Sequence, residues 1–98
     1  MEKSQLMGKV IDAVTRVQEA SGRTVGKIGP GTRPIKDVAG FDSLSGIEAT
    51  VILAELLSHE LPDDYNPFVS KDGRRSLSIA EITENLTQTI GGETATNE

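Results

Sequence analysis

Ser43 is the side chain whose setting best suits covalent chemistry. It stands in Gly40-Phe41-Asp42-Ser43-Leu44, ahead of a stretch from Leu44 to about His59 that has no Pro, one Gly and many Leu, Ile and Ala. Asp42 is a preferred N-cap type, so Ser43 falls at or next to a helix N-terminus. Unpaired backbone N–H groups and the macrodipole favour negative charge there, and a hydroxyl so placed is suited to carry a phosphate. It is poorly suited to be a catalytic nucleophile. No Gly-x-Ser-x-Gly elbow surrounds it. The single histidine, His59, lies about four helical turns away, far beyond the roughly 3 Å reach of a general base. His59 instead fits a helix C-terminal position, favourable in the dipole.

Other chemistries find little support. The chain has no cysteine, which excludes a disulfide framework, a thiol nucleophile and a thiolate metal site. One histidine and scattered acids show no metal-ligand spacing, and Asp63-Asp64 reads as a cap or surface pair. Gly29-Pro30-Gly31 has no strand before it and no Gly-Lys-Ser/Thr after it, so it is a turn rather than a phosphate loop. The charge is segregated. From Asp37 through Ser70 stand Asp37, Asp42, Glu48, Glu55, Glu60, Asp63 and Asp64 with no Lys or Arg, within a net charge of -5. Such a field argues against nucleic acid and for a basic protein partner, the alternative being a solvated acidic face. No run of about 18 apolar residues and no signal-peptide pattern is present, so a soluble cytoplasmic protein without membrane contact is expected.

The elements that must position Ser43 are helical. At 98 residues the chain is one domain, and with aromatics limited to Phe41, Tyr65 and Phe68 its core is mainly aliphatic. A first helix is predicted from about Glu2 or Ser4 to Ala20 or Ser21. Leu6, Val10, Ile11, Val14 and Val17 form its apolar stripe, and Gly22 terminates it. Residues 22–41 form a long loop, a length that tends to be functional or mobile. Val25, Ile28, Ile35 and Val38 are placed to pin it, and Pro34–Val38 to make one helical turn. The second main helix is apolar on more than one face, which predicts a central helix enclosed on several sides. One strip of it, Leu44, Glu48, Val51 and Glu55, alternates anchors and charges in the manner of a partner surface. Ser45-Gly46-Ile47-Glu48 also fits a capping box that would delay the helix start, and Pro62 helps to stop the helix. Tyr65–Val69 is read as a short helical turn, and Asp72-Gly73 as a turn. Ser78-Ile79-Ala80-Glu81 is a capping box, with Leu77 and Ile82 as a hydrophobic staple. The last helix then runs along Ile79, Ile82, Leu86 and Ile90 to a stop at Gly91-Gly92. The predicted fold is a small all-α four-helix bundle: three main helices, one short helix and a long first loop. It comprises a single domain over 1–92 and a frayed tail over 93–98.

Asp42-Ser43-Leu44 at the head of such a helix resembles the phosphopantetheine attachment motif of acyl carrier proteins. Gly40-Phe41 ahead of it, the acidic-apolar helix running on to Glu60-Leu61-Pro62-Asp63, and the Ser-capped last helix extend the resemblance over residues 4–90. It implies an acyl-carrier-like bundle, a monomer without catalysis of its own. It also implies a 4′-phosphopantetheine arm attached to Ser43 by a phosphopantetheinyl transferase, using Mg²⁺ on the transferase side. Acyl groups would travel on that arm as thioesters between enzymes of fatty-acid, polyketide or other specialised acyl metabolism. Asp42 corresponds to the acidic residue beside the serine. Leu44, Ile47, Glu48, Val51 and Glu55 correspond to the recognition helix that meets basic docking surfaces on partner enzymes. Ser45, Ala54 and Leu56 stand where acids are common in the family, and the segment between Pro62 and Leu77 is longer than in the plain fatty-acid carriers. Both departures point to a specialised carrier. The small Gly46 and Ala49 suggest room to shelter an acyl chain. The competing reading is an unmodified helical interaction module that uses the same acidic face.

Overall fold

The computed structural model describes residues 2–23, 25–61, 65–70 and 72–90, with the backbone of 91–96. Its helices are α1 (Lys3–Ala20), α2 (Pro34–Asp37), α3 (Ser43–Leu57) and α4 (Ile79–Thr96). Among the described residues the β pairing is one antiparallel bridge, Val69 with Ser76. The molecule is the small all-α bundle predicted. The readings at Pro62, at Asp63-Asp64 and for Asn97-Glu98 lie outside the described residues.

The stripe of α1 is the largest single contribution to the core. Leu6, Val10, Ala13, Val14 and Val17 are buried, facing Ala49 and Leu53 of α3 and Ile79, Ile82 and Leu86 of α4 within one apolar cluster. Gly22, at φ 74, ends α1. Its N–H donates to Glu19 O (3.0 Å) and that of Arg23 to Gln18 O (2.9 Å), the Schellman arrangement.

The long first loop is tied down rather than loose. Ile28, Ile35 and Val38 pack against the core, and Pro34 opens α2 at its first position. Two loop carbonyls cap α4: the Ile79 N–H donates to Thr32 O (2.8 Å) and the Ala80 N–H to Pro30 O (2.9 Å). The predicted capping box is complete, with Ser78 N–H donating to Glu81 Oε1 (2.9 Å) and Glu81 N–H to Ser78 Oγ (3.2 Å). Glu81 also pairs with Arg33 of the loop (3.3 Å) and Arg75 (3.2 Å). The Ser78 N–H, and then the two guanidinium groups, hold its carboxyl below the usual 4.5. A lowered folded-state value contributes stability above the unfolded-state value and loses it as pH falls through the folded one. Thermal melts are therefore expected to fall as pH drops below 4.5, with Glu81→Gln flattening part of that acid limb. Ser78→Ala should cost about 1 kcal/mol. An unchanged melting temperature for Ser78→Ala would contradict the capping role.

Four sequence readings are corrected. First, α1, not α3, is the helix packed against both other main helices. The fully buried side of α3 is made mostly of small residues, Ser45, Gly46, Ala49 and Thr50 with Leu53; Ile52, Leu56 and Leu57 pack partly against the core, and Leu44, Ile47 and Val51 are left exposed. Second, α3 starts at Ser43 and Ser45 is no N-cap. It stops at Leu57, where Ser58 takes the left-handed conformation (φ 50). Third, residues 65–69 form no helix. Pro67-Phe68 turn into a small hairpin in which Ser70 N–H donates to Arg75 O (2.8 Å) and Leu77 N–H to Phe68 O (2.9 Å), with Gly73 at φ 72 in its turn. Fourth, α4 runs through Gly91 and Gly92 to Thr96. A glycine inside a helix costs only about 1 kcal/mol and terminates it only by leaving the helical region.

Candidate functional site

Ser43 is presented by the turn that precedes it. Gly40, at φ 73, reverses the chain where a side chain would be strained, and Phe41 N–H donates to Val38 O (3.1 Å). The Phe41 ring then drops into the core against Phe68, with centroids 5.5 Å apart and planes tilted by 51°. That apolar anchor fixes where α3 begins, so Asp42 and Ser43 emerge at the surface directly after it.

Asp42 caps α3. Its Oδ1 accepts from the Ser45 N–H (2.9 Å) and from the Ser45 hydroxyl (3.1 Å). Those two bonds, the backbone one first, hold the carboxyl below its ordinary range and keep it ionised. The cap separates two serines that look alike in sequence. Ser45 is buried with its hydroxyl committed to Asp42. Ser43 is exposed at the first helical position, and its hydroxyl has no hydrogen-bond partner among the described residues. A phosphoryl group fits there because Ser43 Oγ is unobstructed and the first-turn amides favour an anion.

Along α3 the predicted recognition residues share the solvent-facing side. Leu44, Ile47 and Val51 are 63%, 50% and 57% exposed, the large exposed hydrophobics of the described chain. Glu48 and Glu55 are exposed among them, and neither forms an ion pair among the described residues. Ile47, Thr50, Val51 and Ala54 also form one wall of an open cleft of ≈ 200 Å³, with Glu60, Leu61 and Tyr65 opposite. Tyr65 is fixed from behind, its hydroxyl donating to Asn85 Oδ1 (2.8 Å) on α4. Leu61 and Tyr65 carry no periodic signal that assigns them to this surface; their one clue in sequence is that both are apolar-bodied residues just past α3.

The space beside Gly46 is filled. A β-carbon there would lie 3.3 Å from Asn66 Oδ1 and 3.5 Å from Phe68 Cβ, so the small residue admits the Asn66–Phe68 strap rather than an acyl chain. His59 lies beyond the far end of α3 from Ser43; a helix of that length spans roughly 22 Å. Among the described residues no three His, Cys, Asp or Glu side chains converge as metal ligands, and no helix is long and apolar enough to cross a membrane. Against protein-family models, curated proteins and solved structures, the chain finds no match.

Proposed function

We propose that this chain is an acyl carrier protein, with Ser43 as the attachment point for 4′-phosphopantetheine. The observation that carries the reading is the contrast at the head of α3: the Ser43 hydroxyl is exposed and uncommitted, while Asp42 locks that of Ser45. Attachment forms a bond from Ser43 Oγ to the phosphorus that bears the pantetheine. It breaks the pyrophosphate linkage of coenzyme A, releases adenosine 3′,5′-bisphosphate and gives the serine proton to a base on the transferase. Asp42 holds the first turn in place, and the first-turn amides favour the resulting phosphodiester. The attached arm supplies a terminal thiol on which acyl groups ride as thioesters. The chain needs no cysteine or catalytic base of its own for this work.

Leu44, Ile47 and Val51, set among Glu48 and Glu55, give the transferase and acyl-handling enzymes an apolar contact with charges that steer a basic surface. The acyl metabolism served is of a specialised kind, consistent with the reduced acidity of α3. The exposed strip also favours a second reading, an unmodified interaction module that binds a basic partner. The experiment is intact mass before and after incubation with coenzyme A, Mg²⁺ and a broad-specificity transferase. The carrier reading predicts a gain of one phosphopantetheinyl group by the native chain and none by Ser43→Ala. Under the module reading neither gains mass, and Ser43→Ala binds its partner normally.

A further inference from the structure

We propose that Arg23 is a positioning residue for the arm, its guanidinium pairing with the phosphodiester on Ser43; this rests on the carrier reading. Gln18 ties the end of α1 to the residues just ahead of the site and also fixes the Arg23 backbone. The Gln18 amide donates from Nε2 to Ala39 O (2.8 Å), and the Arg23 backbone is held by Gln18 O (2.9 Å). The Arg23 guanidinium then lies beside Gly40, so closely that a β-carbon there would stand 2.5 Å from its Cζ. Glycine at position 40 serves the turn, and its bare backbone leaves room for this cation beside it.

Arg23 is exposed, and its guanidinium has no hydrogen-bond or ion-pair partner among the described residues. Its charge matters because the chain supplies none locally: Asp37 through Ser70 contains no Lys or Arg. A phosphodiester on Ser43 sits beside the ionised Asp42 in a protein of net charge -5, and beyond the first-turn amides a cation delivered from elsewhere in the fold offsets that repulsion. Gly40 and Ser43 are three residues apart, at most about 11 Å along the chain and about one Debye length at 0.1 M salt. A swinging guanidinium covers much of that span, and its planar fork suits two phosphate oxygens at once.

The test compares the ¹⁵N-labelled chain before and after loading from coenzyme A, for native, Arg23→Lys and Arg23→Gln proteins. Loading should move the Arg23 Nε–H resonance. In Arg23→Gln the pantetheine amides, labelled through the donor, should relax as a freer tether, and loading should slow roughly two- to fivefold. Arg23→Lys should recover part of both effects, and all three melting temperatures should agree. Complete loading with an unmoved Nε–H and identical arm relaxation in Arg23→Gln overturns the proposal while leaving the carrier reading intact. No loading of the native chain overturns both.

Discussion

Phe68→Ala should bring the fold close to collapse. Phe68 is fully buried, its ring lies on that of Phe41, and its Cβ faces Gly46 of α3. Removing a buried phenyl ring costs about 3–5 kcal/mol, a large share of the roughly 5–15 kcal/mol that holds a domain together. The variant also strips the Phe41 ring of its aromatic partner. Phe68→Leu keeps most of the volume and should cost under about 1.5 kcal/mol. The loss also bears on the site, because Phe41 fixes the point where Asp42 and Ser43 surface. Chemical denaturation followed by circular dichroism measures both variants. A cost below about 1 kcal/mol for Phe68→Ala would mean that the strap is not part of the core, contrary to the packing described.

Reversing the exposed face of α3 should leave the fold untouched and remove recognition. In the Glu48→Lys, Glu55→Lys double variant two steering charges repel the basic surface they are meant to attract. In Ile47→Asp, Val51→Asp two apolar anchors become carboxylates. Either pair should lower kcat/KM for transferase loading by roughly 100-fold, with the charge reversal partly rescued at high salt, where steering is screened. Because these side chains are exposed, stability should stay within about 0.5 kcal/mol per substitution. Loading rates within twofold of native in both variants would show that this face is a solvated surface.

The residues differ in how much of this they disclosed in sequence. Local rules acted where they were expected. The stripe of α1 with Gly22 after it, Pro34 opening α2, Asp42 capping α3 and the Ser78–Glu81 box each depend on neighbours within four positions. What could not be read depends on a choice between two local caps, at Ser45, or on distant contacts. Ser45 was a plausible N-cap until Asp42 claimed its N–H and hydroxyl. The apolar surplus of α3 looked like burial because hydrophobicity alone cannot separate a core face from a docking face; the small inward residues of α3 decide it. Gly46 suggests an acyl cavity in sequence, but Asn66, twenty residues on, fills that space. The seat of Arg23 on Gly40 spans seventeen residues and leaves no periodic signal.

The central claim is that one particular hydroxyl is modified, and peptide mapping of the loaded protein tests it most directly. Between Lys36 and Lys71 there is no site for trypsin, so residues 37–71 leave as one peptide containing both Ser43 and Ser45. After incubation with coenzyme A and a transferase, that peptide should carry the phosphopantetheinyl group, with fragment ions placing it on Ser43. An unmodified 37–71 peptide, in a reaction that loads a control carrier to completion, would contradict the account. So would fragment ions that place the group on Ser45.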